Sequence, residues 1–139
     1  MPRRMGIDYG VKRMGVAVCD PAEMFATPLC VVPVRGDAHA ASEVKRLIDE
    51  TGAESIVIGL PLNMNGTEGP SAQSARAFAR NFEAKRSMPM LFWDERLSTH
   101  AVTRTLLDAD MSRARRKEVV DKMAAAFILQ GVLDATRRS

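Results

Sequence analysis

Met5-Gly6-Ile7-Asp8-Tyr9-Gly10-Val11-Lys12-Arg13-Met14-Gly15-Val16-Ala17-Val18 reads as a strand, a tight turn and a second strand. A lone acid, Asp8, stands at the end of the first strand between two glycines, Gly6 and Gly10. Neither glycine has a side chain to crowd what lies in front of the carboxylate. An ionised carboxylate in a sheet core is costly without a partner, and a cation would remove that cost. The stretch therefore raises two questions: what sheet it seeds, and which other acids share its position.

Working outward, residues 4–8 and 14–19 are the two strands, and Asp20-Pro21 breaks the second. Leu29 to Val34 is a third, giving an antiparallel meander. Asp37 is expected to cap a helix with Ala40, Val44, Leu47 and Ile48 on its apolar face, ended by Gly52. Ser55 to Gly59 is a short apolar run after a helix, the mark of a buried parallel strand. A loop over 60–70 leads to a helix capped by Ser71, reaching about Arg86, with Ala75, Phe78, Ala79 and Phe82 inward. Met90 to Trp93 is another buried strand and runs into Asp94-Glu95. Ser98 or Thr99 opens a helix to about Asp108, and a last helix runs from about Lys117 to Arg137. The order β-β-β-α-β-α-β-α-α predicts an α/β fold. Its sheet is mixed, with the first strand central and helices on both faces.

Composition limits the alternatives. The 139 residues suit one domain over 1–139 with a real core, and 46% apolar with 27% charged residues is ordinary for a soluble globular protein. No apolar run is long enough to span a bilayer. The start, Met1-Pro2-Arg3-Arg4-Met5, runs into a strand with no room for a signal peptide, so a cytoplasmic location is expected. Cys19 and Cys30 form no CxxC. They read as buried free thiols, with a bridge between neighbouring strands as the alternative. His39 and His100 make no zinc-like spacing with them, so any metal must be held by oxygen. The net charge is +3, with cations concentrated in Ser112-Arg113-Ala114-Arg115-Arg116-Lys117 and in Arg137-Arg138. Such a run is by itself only a solvated face.

Most of the 17 acids fall on solvated helix faces, but three places do not. Asp8 is one. Asp94-Glu95 ends a buried strand, where sites gather in open α/β sheets. Asp121 shares a helix stripe with Ala124, Ala125, Ile128 and Val132, so its face is apolar. Each has a structural reading: backbone hydrogen bonds for Asp8, a helix N-terminus for Asp94-Glu95, and a Lys117 pair for Asp121. Together they suggest more. Three carboxylates at one point would repel and would not all stay ionised. Magnesium or manganese favours carboxylate oxygens and resolves the repulsion. Two such ions serve phosphodiester hydrolysis.

Four motifs occur in order: Gly6-Ile7-Asp8-Tyr9-Gly10; Gly59-Leu60-Pro61 with Gly66 and Gly69; Asp94-Glu95-Arg96-Leu97-Ser98-Thr99; and Asp121 with Ala124-Ala125. Together they resemble the YqgF (RuvX) family of Holliday-junction-resolvase-like proteins and pre-16S rRNA nucleases, and the resemblance covers nearly the whole chain. It implies an RNase H-like fold, with a five-stranded mixed sheet flanked by helices. It also implies a metal-binding catalytic triad on Asp8, Glu95 and Asp121, with Mg²⁺ or Mn²⁺, two ions, as cofactor. Alternation along the strand puts Asp94 and Glu95 on opposite faces; spacing does not choose between them, and the family pattern favours Glu95. The implied partners are pre-rRNA or branched DNA, and ribosomal particles, without a membrane. Resolving a junction symmetrically favours a homodimer, and trimming an RNA end a monomer.

Substrate candidates lie around these acids. Lys12 and Arg13 sit in the turn beside Asp8, and Arg96 follows Glu95. Asn63, Asn65 and Thr67 in the 60–70 loop can hydrogen-bond phosphate or sugar. Arg113, Arg115 and Arg116, with Lys117, precede the Asp121 helix and form a rim for a phosphate backbone. Gly6-Ile7-Asp8-Tyr9-Gly10 also resembles the first phosphate motif of actin-like and sugar kinases, but the chain lacks their second lobe and second Asp-x-Gly turn. A non-catalytic nucleic-acid-binding module is the other alternative. Convergent acids argue against it, because they repel phosphate unless a cation is present.

Overall fold

A computed structural model of the chain describes residues 3–10, 12–20, 22, 25–95 and 113–137, with the backbone alone at 113–122 and 137. The strands are β1 (Arg3–Tyr9), β2 (Arg13–Cys19), β3 (Ala26–Pro33), β4 (Ala53–Leu60) and β5 (Met90–Asp94). The helices among the described residues are α1 (Asp37–Thr51), α2 (Pro70–Lys85) and α3 (Arg113–Arg137). The helix expected from Ser98 or Thr99 to Asp108 lies outside the described residues.

The sheet has five strands in the order β3-β2-β1-β4-β5. β1 is central, antiparallel to β2 and parallel to β4, and β5 is parallel to β4. This is the mixed sheet expected from the element order. The period-2 alternation of each strand sorts its side chains between two cores. Met5, Ile7 and Tyr9 of β1 join Met14, Val16, Ile56 and Ile58 under α1 and α2. Ala17, Cys19 and Val57 pack instead with Ala125, Ile128, Leu129 and Val132 of α3. All the helix positions expected inward on α1 and α2 are buried.

Element boundaries differ from the expectations for identifiable reasons. β3 starts at Ala26 rather than Leu29. The Asp20 carboxylate accepts from the Phe25 amide at 3.0 Å and closes the turn early, while Pro28, which cannot donate, is tolerated because β3 is an edge strand. A register shift then sets Val16 against Cys30 and Ala17 against Pro28, so Leu29 is the extra residue of a bulge. Asp37 is the first residue of α1, not its cap; Gly36 takes that place, and the Asp37 carboxylate accepts a hydrogen bond from the Tyr9 hydroxyl. α2 opens at Pro70 after Gly69, one residue before Ser71, because proline suits a first helical position. Gly52 ends α1 with a left-handed φ of 75°, as its sequence position implied. Cys19 and Cys30 form no disulfide, and they fall in different cores, which rules out the bridge. Cys19 is buried, as read, whereas Cys30 is only half-buried.

α3 crosses the sheet face of β1, β2, β3 and β4. Its direction follows from two contacts. The Arg4 guanidinium, at the start of β1, donates to Thr136 Oγ1 at 3.4 Å, near the helix C-terminus. Two residues on, Gly6 meets Ala125 and Leu129. α3 therefore runs antiparallel to β1, and its N-terminal half approaches the C-terminal end of the central strand.

Candidate active site

The C-terminal edge of the parallel strands collects the acids. Asp8 is half-buried near the end of β1. Alternation puts it on the Gly6 face, under α3. Its partner on β2 is Gly15. On the other side Ile7 is level with Ile58, so the next position, Gly59, lies beside Asp8. The carboxylate thus has glycine on both neighbouring strands.

Glu95 follows β5 directly. Trp93 packs into the α3 core and is level with Gly59, and Glu95 is two residues further on the same face. A Cβ built on Gly59 would stand 3.0 Å from Glu95 Oε1 and 3.2 Å from its Cγ. The Glu95 side chain therefore leans off β5 across β4, toward the strand that carries Asp8. Asp94 alternates with Glu95 and falls with Phe92, which packs against the α1/α2 core. Alternation in the sequence sets these two acids on opposite faces without choosing between them; the packing on either side of β5 puts Glu95 on the α3 face with Asp8 and Asp94 on the other.

Asp121 lies on α3 one turn before Ala125. Because Ala125 meets Gly6 and the helix runs antiparallel to β1, the Asp121 backbone comes level with the Asp8 end of the strand. Ala124, Ala125, Ile128 and Val132, the residues that marked its stripe, are all buried. No three His, Cys, Asp or Glu side chains gather among the described residues, and the Asp121 side chain is not one of these. What the structure brings to one face and one edge is Asp8 and Glu95, with Gly59 between them. Carboxylate oxygens beside side-chain-free backbone fit a hard divalent cation. Cys19, on the same helix face, is occupied by the Arg4 amide, which donates to its Sγ at 3.1 Å.

The basic candidates divide. Arg13 opens β2 on the Gly15 face, the Asp8 side. Lys12 is exposed in the turn, where its carbonyl accepts from the Val34 amide at 2.9 Å. Gly10 serves this turn rather than the approach to Asp8: its amide donates to the Arg13 carbonyl at 2.9 Å, and a Cβ there would stand 2.6 Å from that oxygen. Arg113, Arg115 and Arg116 do not precede the Asp121 helix but form its first turns. At 1.5 Å per residue Arg113 lies about 12 Å along the helix from Asp121, away from Ala125. Arg96 lies outside the described residues.

The 60–70 loop is less open than its sequence suggested. Asn63 Nδ2 donates to Thr67 Oγ1 at 3.0 Å, and the Thr67 hydroxyl donates to Asn65 Oδ1 at 2.6 Å. The Thr67 amide also donates to Asn65 Oδ1, and the Asn63 amide to the Thr67 carbonyl. The three polar side chains close the loop on itself. Glu68 then ties it to α2, accepting from Arg76 Nε at 2.7 Å and from a second Arg76 nitrogen at 2.8 Å. Arg76 holds the Glu68 carboxyl below its ordinary range, and its guanidinium lies 4.8 Å over the Phe92 ring.

The family profile of RuvX, described as Holliday junction resolvase, matches residues 2–135. The chain belongs to the RuvX family. It is 51% identical over 136 residues to a protein of Methylocella silvestris named "Putative pre-16S rRNA nuclease", covering 98% of this chain and 84% of the relative. A protein of the same name from Cereibacter sphaeroides is 54% identical over 129 residues, covering 93% of this chain and 81% of the relative. Among solved structures, Thermus thermophilus RuvC superposes with a TM-score of 0.61 at 13% identity, over 98% of this chain and 96% of that one. At that identity the likeness is one of fold, and it is the RNase H-like fold of the RuvC resolvases.

Two features of this RuvX chain were not read from its sequence. One is the side-chain-free place at Gly59. A glycine closing the strand run Ser55-Ile56-Val57-Ile58 is a sequence signal for close approach. The other is the Glu68–Arg76 tie, whose partners are eight residues apart across a loop and carry no helical spacing signal.

Proposed function

We propose that this RuvX-family chain is a divalent-metal-dependent nuclease that hydrolyses phosphodiester bonds in the 5′-end maturation of pre-16S rRNA. The observation that carries the reading is the shared face and edge of Asp8 and Glu95, with no side chain on the strand position between them. The names of relatives at about half identity over nearly the whole chain support the substrate.

Asp8, Glu95 and Asp121 would hold the metal, Mg²⁺ or Mn²⁺ as two ions. When bound, it supplies activation of a water and charge stabilisation at the leaving oxygen. The chain's own residues bind and orient. Lys12 and Arg13 draw a phosphate to the Asp8 end of β1, and Arg96 does so beside Glu95. Arg113, Arg115 and Arg116 extend the positive surface along α3, where they track a backbone rather than read bases. Asn63, Asn65 and Thr67 shape the loop that borders the site and offer it their remaining hydrogen-bonding positions. One RNase H-like domain over 1–139 contains all of these. The setting is the cytoplasm, on a pre-ribosomal particle, with a monomer sufficient for trimming one RNA end. No helix among the described residues is long and apolar enough to cross a membrane.

A second reading, resolution of branched DNA by a homodimer, is favoured by the description of the family. Cleavage of a pre-16S leader RNA and of a four-way DNA junction, with Mg²⁺ or Mn²⁺, compares the two directly. Wild-type cutting of the leader that disappears in Asp8→Asn is expected. Preferential cutting of the junction selects the second reading. Equal cutting by wild type and Asp8→Asn removes both, and metal-free binding without cutting would mark a binding module.

A further inference from the structure

We infer that Gly59 is a positioning residue of the metal site: its missing side chain is the space that lets Glu95 reach toward Asp8. This rests on the reading of Asp8 and Glu95 as metal ligands. The two acids stand on strands separated by β4. Adjacent strands are about 4.8 Å apart, so two backbones across β4 are roughly 10 Å apart. That is too wide for two short carboxyl groups to share a cation unless one leans over the middle strand. Glu95 does so, and its Cγ and Oε1 lie where a Cβ of residue 59 would make contacts of 3.2 and 3.0 Å.

The same place is entered from the helix side. The nearest atom to a Cβ at 59 is Cδ1 of Ile128, a fully buried residue of α3. Ile128 and Glu95 therefore border one small space above β4. A methyl group at 59 would push on both. The Ile128 end can be removed without touching the acids, which separates a packing effect from an effect on Glu95.

The test is Mn²⁺ binding by calorimetry and cleavage kinetics on five proteins: wild type, Ile128→Val, Ile128→Val with Glu95→Gln, Gly59→Ala with Ile128→Val, and the last with Glu95→Gln added. Ile128→Val alone is expected to bind Mn²⁺ as wild type does. Gly59→Ala with Ile128→Val should stay folded yet bind Mn²⁺ on the order of tenfold more weakly, in the range seen when groups that orient metal ligands are lost. Its kcat should fall at saturating RNA while KM holds. Against Glu95→Gln without the glycine change, adding Gly59→Ala should weaken Mn²⁺ binding no further, because the lost interaction is the same one. A folded Gly59→Ala, Ile128→Val protein with wild-type Mn²⁺ affinity overturns the inference, and so does a full Gly59→Ala effect persisting beside Glu95→Gln. Ile128→Ala replaces Ile128→Val if the first pair melts below the assay temperature. Wild-type protein that binds no Mn²⁺ overturns the metal reading itself, a result distinct from the other two.

Discussion

Gly6 of β1 lies directly against Leu129 of α3. A Cβ on the glycine would stand 2.7 Å from the Leu129 Cβ and 2.8 Å from the Ala125 carbonyl oxygen. The contact lets a long helix lie close on the central strand, and it sets the height of Asp121 above Asp8.

Gly6→Ala should therefore be costly although the added group is one methyl. The obstructing atoms are a helix backbone oxygen and a Cβ, neither of which can rotate away. Overpacking of this kind costs about 1–3 kcal/mol. Urea unfolding should show a lower midpoint with an unchanged slope. A midpoint equal to wild type would mean that α3 is not seated on Gly6.

Glu95→Gln and Asp94→Asn should behave differently. Glu95 leans across Gly59 on the α3 face, whereas Asp94 falls with Phe92 on the other. Glu95→Gln is expected to lower cleavage by roughly 10²-fold or more, at least the loss caused by removing groups that orient metal ligands. Asp94→Asn should remain within a few-fold of wild type. The reverse order of activities would exchange the two roles.

Tyr9 predicts a pH effect that can be watched directly, because it is the only tyrosine of the chain. Burial first, and then its hydrogen bond to Asp37, push the hydroxyl well above the ordinary value of 10.0. The neutral form is thus favoured in the folded state. Stability from this group is fully present below pH 10 and falls as pH rises beyond it, since the unfolded chain loses its proton first. Tyrosinate absorbance should appear near pH 10 in denaturant and only at higher pH in the folded protein. Tyr9→Phe should flatten the alkaline loss of stability and cost about 1 kcal/mol at neutral pH through the lost hydrogen bond. Tyrosinate appearing at the same pH in both states would contradict the burial.

Arg76→Ala should act on substrate binding more than on stability. The Arg76 and Glu68 side chains remain partly open to water at the surface, so their pairing adds little to folding. Its consequence is local, because it holds the 60–70 loop to α2 and thereby to Phe92. The expected result is a raised KM for RNA with kcat and melting temperature near wild type. Unchanged KM would remove the loop from the substrate path.

Bound Mn²⁺ should raise the melting temperature through mass action, since the unfolded chain has no assembled site. At a free concentration one hundred times Kd the stabilisation is about 2.7 kcal/mol. Asp8→Asn should lose most of that increment while folding normally. A metal-induced shift that survives Asp8→Asn would place the ion elsewhere.

The sequence by itself determined the order of the described elements, the central place of β1 and the inward faces of α1, α2 and α3, because hydrophobic periodicity is a local record of which side meets a core. Asp8 and Asp121 stood out for the same reason: each interrupts an apolar pattern. Only the tertiary structure decided what those positions meet. The lean of Glu95 over β4, the seat of α3 on Gly6, the closure of Asn63, Asn65 and Thr67 on one another and the tie from Glu68 to Arg76 join residues that carry no shared local period. A glycine in sequence shows only that a side chain is absent. Packing decides what occupies the space, and at Gly59 it is a carboxylate from one neighbouring element and an isoleucine from another.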